Sequence, residues 1–304
     1  MMSERVRIVI GFIIVSWVWG STWLAIKIGL QSIPPLTGAG LRFVSAGLLL
    51  YGVARASRIT IPFSRSLVRL YLILIFFNYA VPYGIVYWCQ QFIPSGLSSI
   101  LFGAYPFWVA LLSHFLLRNE KLDAFKMAGI IVGFAGVFVI FMHDMNLTNS
   151  QGLVGMVGVL TTTLMQAFSL VMIKKHAQPI SPVAFNFVGM SISGVLLLLA
   201  GAWMESVTNV RWDAAAVGSL AYLSVVGSVI AFVTYHWLLK RVEAVYLSLV
   251  TFINPVIAVI LGALVLNETL AATVFVGAGL VLLGILIANG RQLYGKVSGS
   301  APAR

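Results

Sequence analysis

Long apolar runs separated by short polar segments dominate the pattern of this chain. Ten runs have about the 20 residues that an α-helix needs to cross roughly 30 Å of hydrocarbon, at about 1.5 Å per residue. The runs are continuous, whereas the strands of a membrane barrel alternate between apolar and polar positions. The pattern therefore predicts an all-α membrane protein with ten transmembrane helices. The predicted spans are 8–30, 36–54, 67–88, 95–117, 124–142, 153–173, 182–203, 214–239, 244–266 and 271–290.

The second half of the chain resembles the first at a nearly constant offset. Residues 26–50 and 173–197, which are 147 positions apart, share eight of 25 residues, and Pro106 matches Pro255 at an offset of 149. Each half holds five spans, so the two halves point in opposite directions across the membrane, a construction typical of transporters. The predicted units are two inverted five-helix repeats, 1–148 and 149–290, and a disordered cytoplasmic tail, 291–304, rich in Gly, Ser and Ala.

Basic residues are distributed unevenly between the two sides of these spans. Of the 19 Lys and Arg, sixteen fall on the side of the N-terminus, and the opposite side receives only Lys27 and Arg211. This bias places both termini in the cytoplasm, and we expect a multi-pass protein of the bacterial inner membrane. The net charge of +11 then serves orientation and contact with membrane lipids, and it requires no nucleic-acid partner.

Acidic residues and histidines lie away from the middle of the membrane. All 8 Asp and Glu fall in loops or at span ends, whereas proton-driven carriers commonly use a carboxylate at mid-depth. This distribution favours facilitative transport over proton coupling. His114 and His236, both toward cytoplasmic span ends, are the remaining candidates for a proton relay, and packing or an interfacial position is the alternative.

Arg42 is the sole basic residue well inside a span. It either extends outward or pairs with helix carbonyls, or it contacts an anionic group of a substrate. Cys89 is the only cysteine, which excludes an intramolecular disulfide and a Cys/His metal site. The motifs GxxxxGK[ST], HExxH and GxSxG are absent from the sequence. We therefore expect no catalytic residues, no metal and no cofactor.

Polar and aromatic residues at mid-depth form a second pattern. Tyr79 and Tyr83 recur on one face of the third span, and the repeat relates Trp19 to Gln166 at an offset of 147. Groups of this kind suit a zwitterionic or neutral organic solute, although they also join helices by packing and hydrogen bonds. The candidate substrate-binding residues are Trp19, Asn78, Tyr79, Tyr83, Phe102, Tyr105, Gln166, Thr251 and Asn254.

Prolines and glycines mark bends and close contacts. Pro106 and Pro255 each remove one backbone hydrogen bond near mid-membrane, and we predict that they act as hinges. Glycines in the fifth and tenth spans predict close helix packing, either within the bundle or between protomers. They are Gly129, Gly133, Gly136, Gly277, Gly279 and Gly284. The expected state is a monomer or a weak homodimer.

Four segments resemble the EamA family of the drug/metabolite transporter superfamily: residues 19–27, 42–43, 106–122 and 254–270. They are also similar to YddG-type amino-acid exporters. The resemblance implies ten helices in two inverted repeats, export of small metabolites, and a central cavity lined by the first, third, fourth, sixth, eighth and ninth spans. The small proton-coupled drug exporters of the superfamily carry a glutamate in the first span, which this chain lacks.

The function expected from these features is export of amino acids, with aromatic ones among the candidates, or of similar small metabolites, by alternating access. Within transport, the alternatives are a proton-coupled drug or metabolite antiporter and a carrier of sugar phosphates or nucleotide sugars. The latter would need several basic residues in its cavity, and only Arg42 is available. From another class, an intramembrane enzyme that modifies lipids would need a nucleophile, base or metal cluster at depth.

Overall fold

The structure is a computed structural model that describes residues 3–117, 122–144, 150–176, 180–206, 210–239, 241 and 250–297. The regular structure of these residues is helical. Eight described helices are long and apolar enough to span a membrane, and two shorter apolar helices follow them. The prediction of an all-α membrane protein with ten helices is confirmed.

We label the ten helices in chain order, treating the segments of an interrupted helix as one. They are α1 (Glu4–Gly29), α2 (Pro35–Ala56), α3 (Arg65–Ile73, Leu74–Ala80 and Val81–Cys89), α4 (Ser95–Phe102 and Tyr105–Leu116), α5 (Ala124–Asp144), α6 (Ser150–Lys175), α7 (Pro182–Met204), α8 (Ala214–Ala221, Tyr222–Ile230 and Ala231–Leu239), α9 (Val250–Leu266) and α10 (Ala272–Val297). We call the end of the bundle that holds Glu4 and Arg241 the N-terminal face, and the end that holds Ser32 and Asp213 the distal face.

Local sequence signals explain where several helices begin. Pro35 and Pro182 occupy the first turns of α2 and α7, where a helix needs no backbone N–H donor. The side chains of Ser64 and Asp213 accept hydrogen bonds from backbone amides at the starts of α3 and α8. Such caps satisfy N–H groups that a helix cannot satisfy internally, so the spans begin at defined positions.

Helix pairing follows the repeat. α2 packs along α7, and α5 along α10, so each of these helices contacts its counterpart in the other half. α1 packs against α8 and α9, and the corresponding helix α6 packs against α3 and α4. These matched sets of neighbours fit two related five-helix units that share one interface.

Glycines allow α5 and α10 to pack at unusually short range. A methyl group at Gly136 would lie 2.5 Å from the carbonyl oxygen of Gly277, and one at Gly284 would lie 2.6 Å from that of Gly129. Any side chain at these positions would meet backbone atoms. The predicted glycine packing face therefore lies within the bundle.

Two helices contain a π-helical segment at repeat-related positions. The segments are Leu74–Ala80 in α3 and Tyr222–Ile230 in α8, and their first residues differ by 148 positions, the offset of the repeat. In a π-helix each amide bonds one residue further back than in an α-helix, and such segments are frequent at functional sites. Both segments contribute side chains to the centre of the bundle.

The backbone around the two predicted hinge prolines differs between the repeats. α4 is interrupted, because the amide of Gly103 donates to the carbonyl of Ile100 at 2.9 Å and Pro106 opens a new helical segment. α9 continues through Pro255. The tight turn needs Gly103, where a Cβ would lie 2.8 Å from the Ile100 oxygen, and the equivalent residue in the other repeat is Phe252.

The predicted boundary of the C-terminal tail is corrected. α10 continues to Val297, so residues 291–297 are helical rather than disordered. A helix propagates easily once its first turns have formed, and Gly295 opposes this by only about 1 kcal/mol. Residues 298–304 lie outside the described residues.

Candidate functional site

Aromatic rings of α1, α3 and α8 meet in the middle of the bundle. Trp19 packs on Phe232 and Tyr235, with ring centroids 5.3 Å and 4.8 Å apart. Tyr79 contacts the same Phe232 at 5.8 Å. These contacts join both repeats, since Trp19 and Tyr79 belong to the first and the phenylalanine to the second.

The break in α4 adds further rings to this group. Phe102, the last residue before the break, stacks on Tyr105, the first residue after it, with centroids 5.8 Å apart and planes 11° from parallel. Phe102 also lies 5.3 Å from Trp23, and Tyr105 is close enough to Tyr235 to interact electrostatically with it. We define the central aromatic cluster as Trp19, Trp23, Phe43, Tyr79, Tyr83, Phe102, Tyr105, Phe232 and Tyr235.

Tyr79 and Tyr83 have different environments although both point toward the centre. Tyr79 is fully buried, and its hydroxyl donates to Oδ1 of Asn186 at 2.7 Å. Tyr83 lies 4.8 Å from Phe43 in an edge-to-face contact, and its side chain is partly exposed. Trp19, Phe102 and Tyr105 are partly exposed as well.

Arg42 lies beside this cluster and is only 2% exposed. Its guanidinium carbon is 5.1 Å from the ring centre of Tyr83 and 5.4 Å from that of Phe43, distances at which a cation is attracted by an aromatic face. Nε donates to the hydroxyl of Ser228 at 3.0 Å, within the π-helical segment of α8. The side chain therefore points inward, and the alternative that it extends to the surface is wrong.

Two carboxylates of the second half close the distal face. Glu205 accepts hydrogen bonds from the amides of Leu36 and Thr37 at 2.7 and 2.9 Å. Glu268 accepts from the amide and the hydroxyl of Ser95 at 2.9 and 2.8 Å. Each carboxylate thus binds the N-terminus of a helix in the other half, where the helix dipole also favours a negative charge. We call these contacts the distal latch.

Further polar contacts reinforce the distal face. The ammonium of Lys27 donates to the carbonyls of Gln90 and Ile93, and the hydroxyl of Ser32 donates to Asp213. The hydrogen bonds from Ser32 and from the amide of Ala216 lower the pKa of the Asp213 carboxyl from its usual value. Asp213 therefore remains ionised at neutral pH.

The two segments of α4 differ in how many of their residues are buried. In Ser95–Phe102, seven of the eight residues are buried, whereas in Tyr105–Leu116 the buried residues are Phe107 and Ser113. In α1, the continuous run from Gly20 to Ile26 is buried. Burial of these two helices is therefore greater toward the distal face, where the distal latch also lies.

The remaining predicted site residues have mixed outcomes. The side-chain amide nitrogen of Asn254, when oriented toward the carbonyl oxygens of Val250 and Ser16, donates to both at 3.0 Å. This side chain therefore connects α9 to α1. Asn78 and Gln166 are half-buried on α3 and α6, and the side chain of Asn78 interacts with Tyr79.

The predicted histidine relay and one polar residue are only partly described. His114 is exposed, and its ring lies 5.2 Å from Phe115 near the end of α4. The side chains of His236 and Thr251 lie outside the described residues. The relay stays a prediction, as does the hinge role of Pro106 and Pro255.

Sequence reasoning missed several members of the cluster. Trp23, Phe43, Phe232 and Tyr235 were not predicted, nor was Ser228 as the partner of Arg42. Tyr235 could have been found, because it is the equivalent of Tyr87 at the repeat offset of 148. Trp23 and Phe43 lie in segments that resemble the EamA family, whereas Phe232 and Ser228 carry no signal of their own.

The candidate site contains groups of the kinds that bind small solutes. Its described groups are aromatic rings, hydroxyls and one guanidinium, which can enclose and orient a solute. Among the described residues, no group of three or more His, Cys, Asp or Glu could hold a metal ion.

Comparison with known proteins identifies a family whose model matches both halves of the chain. The model of the EamA-like transporter family matches residues 6–142 and 153–290. The two matches fall in the two halves of the chain, so each half is similar to the same family unit.

Curated relatives cover almost the whole chain. The uncharacterized transporter YoaV of Bacillus subtilis is 29% identical over 93% of this chain and 96% of its own length. The uncharacterized inner membrane transporter YedA of Escherichia coli is 28% identical over 91% and 89%. Protein PagO of Salmonella typhimurium is 27% identical over 84% of both chains.

A solved crystal structure shares the fold. It superimposes with a TM-score of 0.69 over 96% of this chain and 99% of the other, at 18% sequence identity. At this identity the likeness concerns the arrangement of the helices.

Proposed function

Because the chain belongs to the EamA-like transporter family, we propose that this multi-pass membrane protein exports amino acids or similar small metabolites from the cytoplasm. Aromatic amino acids are the favoured substrates within this class. The observation that carries the proposal is the central aromatic cluster, in which partly exposed rings of both halves meet beside Arg42. Rings, hydroxyls and a single cation suit a small organic solute better than a polyanion such as a nucleotide sugar.

Several features support transport by alternating access. The distal latch joins the two halves at the distal face by hydrogen bonds, which can break and re-form. The π-helical segments of α3 and α8 and the interruption in α4 lie at the level of the cluster, where helices that deviate from regular geometry can bend. The transport is facilitative, since the sequence places its 8 carboxylates in loops or at span ends.

The proposed location is the inner membrane with both termini in the cytoplasm. The uneven distribution of Lys and Arg supports this orientation, and the name of the relative YedA describes an inner membrane transporter. In this orientation the distal face, where burial of α1 and α4 is greater, lies toward the periplasm, and the opposite face lies toward the cytoplasm, from which an exporter takes its substrate.

A substrate panel tests the proposal. Purified protein in liposomes that contain one unlabelled amino acid should take up the same labelled amino acid faster than liposomes without protein, and phenylalanine, tyrosine and tryptophan should exchange fastest. If no amino acid in the panel exchanges, the proposed substrate class is wrong.

A further inference from the structure

Arg42 carries a formal charge into a part of the bundle that is otherwise apolar or neutral. Its side chain is 2% exposed and lies among the rings of Phe43 and Tyr83 and the hydroxyl of Ser228. Its backbone carbonyl accepts a hydrogen bond from Ser224 at 3.2 Å. Both serines belong to the π-helical segment of α8, so this segment fixes both ends of the residue.

The charge of Arg42 has no counter-ion within the described ranges. No described carboxylate lies within salt-bridge distance of it, and Nη1 is buried without a hydrogen-bond partner there. The hydroxyls of Tyr83 and Tyr87 interact with the guanidinium, but neither carries a charge that could balance it. Rings and hydroxyls lessen the cost of a buried cation, but they do not neutralise it.

The guanidinium and the Tyr87 hydroxyl lie beside Tyr83, a member of the central aromatic cluster. Tyr83 links them, since its partly exposed ring faces the guanidinium at 5.1 Å and packs 6.2 Å from Tyr79. A guanidinium presents parallel N–H donors that match the two oxygens of a carboxylate. An anionic group that entered here would supply the missing charge, while its apolar part met the rings.

We infer that Arg42 is the receptor for the carboxylate of the transported solute, and that the solute class is small aromatic monocarboxylates whose amino group is not recognised by charge. This inference rests on the proposed function and deepens it. That the amino group is not recognised by charge follows from the sequence, because its carboxylates all lie in loops or at span ends. No acidic side chain is therefore available at mid-depth to pair with an ammonium group.

Two analogues of phenylalanine separate the two charges. 3-Phenylpropionate keeps the carboxylate and lacks the amino group, whereas phenylalaninamide keeps the amino group and lacks the carboxylate. Both are tested as competitors of labelled phenylalanine exchange by the unmodified protein. The inhibitory concentration of 3-phenylpropionate should lie within about threefold of that of phenylalanine. Phenylalaninamide should inhibit roughly 10- to 100-fold more weakly, the range for losing a hydrogen-bonded charge.

Variants assign this selectivity to Arg42. Arg42→Gln should remove the preference for 3-phenylpropionate over phenylalaninamide. Arg42→Lys should retain part of this preference, because lysine keeps the positive charge but lacks the parallel N–H donors of the guanidinium. Arg69→Gln is the matched control, since it removes the same charge from an exposed position of α3 and should leave the preference unchanged. Thermal stabilisation of the purified, unmodified protein by 3-phenylpropionate is a second measurement that depends on neither variant folding.

The outcomes separate this inference from the proposed function. If labelled phenylalanine exchanges but phenylalaninamide competes as well as 3-phenylpropionate, the role of Arg42 is wrong and the transport function stands. A folded Arg42→Gln protein that keeps the preference has the same consequence. If 3-phenylpropionate neither competes nor stabilises, the substrate class inferred here is wrong. Absence of exchange for every amino acid contradicts the proposed function itself.

Discussion

At the scale of single residues, the packing of α5 on α10 depends on the absence of side chains. Gly284→Ala would place a methyl group 2.6 Å from backbone atoms of Gly129 and Gly133, which neither helix can relieve without moving. We expect this substitution to lower stability by about 1–3 kcal/mol, the usual cost of overpacking. The midpoint of thermal unfolding in detergent measures the effect.

Gly279→Ala is the control for this prediction. It lies on the same helix, and a methyl group there would meet no atom within 4 Å. Alanine favours a helix over glycine by about 1 kcal/mol, so this variant should be as stable as the unmodified protein or more so. Equal loss of stability in both variants would contradict the packing account.

Tyr105 should matter through its ring rather than its hydroxyl. The ring stacks on Phe102 across the break in α4, and losing an aromatic contact of this kind together with its buried area removes roughly 1–2 kcal/mol of binding. Tyr105→Ala should lower the exchange rate about tenfold at low substrate concentration, while Tyr105→Phe should stay within about twofold.

Trp203→Ala provides the control for the tyrosine variants. Trp203 is 89% exposed near the end of α7, so the change should leave exchange per folded protein intact. Exchange by Tyr105→Ala at the rate of the unmodified protein would place the substrate outside the central aromatic cluster.

The residue scale also shows what the sequence could and could not predict. Depth within an apolar run was sufficient to find Trp19, Tyr83 and Tyr105. The partner of Arg42 could not be found, because Ser228 lies on another helix and its approach depends on how α2 packs against α8. Asn254 was predicted to bind substrate from its depth, yet its amide is engaged by carbonyls of α1 and α9.

At the scale of helices, the distal latch determines which face is closed. Glu205 and Glu268 each hold the first turn of a helix in the other half. Replacing both with Gln removes two charge-assisted interactions, which are worth roughly 1.5–3 kcal/mol each. The equilibrium should therefore shift toward a state that is open at the distal face.

Cysteine labelling measures this shift. The background for labelling has Cys89 replaced by Ser and a cysteine introduced at Thr22, which is buried in the distal half of α1. In this background the double Gln variant should react faster with an impermeant reagent added at the distal side than the protein that keeps Glu205 and Glu268. Glu4→Gln removes a carboxylate at the opposite face and should leave the rate unchanged. Equal labelling rates in all three proteins would show that the carboxylates do not hold the face closed.

Most helix boundaries could be predicted because an apolar run of membrane length leaves little choice. α2 was predicted as 36–54 and is observed as Pro35–Ala56, and α7 as 182–203 against Pro182–Met204. The π-helical segments and the break in α4 were not predicted. They depend on single residues such as Gly103 and on neighbouring helices, and apolar content does not change there.

At the scale of the whole molecule, the proposed orientation rests on the distribution of Lys and Arg. A reporter that is active only in the cytoplasm should be active when fused after Arg304 and silent when inserted near Asn146. The reverse activities would contradict the proposed orientation, and with it the direction of transport.

Energy coupling is a second property of the whole molecule. Because the carboxylates lie in loops or at span ends, a pH gradient across proteoliposomes should not accumulate a zwitterionic amino acid above equilibrium. Accumulation that is lost in a His114→Gln and His236→Gln double variant would contradict facilitative transport and establish a histidine relay.

Counterflow tests the central claim, that two related halves expose one central site alternately to each side. Proteoliposomes loaded with unlabelled phenylalanine should take up external labelled phenylalanine transiently above its equilibrium level, because the internal substrate returns the site to the outside. Liposomes without the internal load should show only slow equilibration. Uptake that is equally fast with and without the load would indicate a channel, and absence of protein-dependent uptake would contradict the account as a whole.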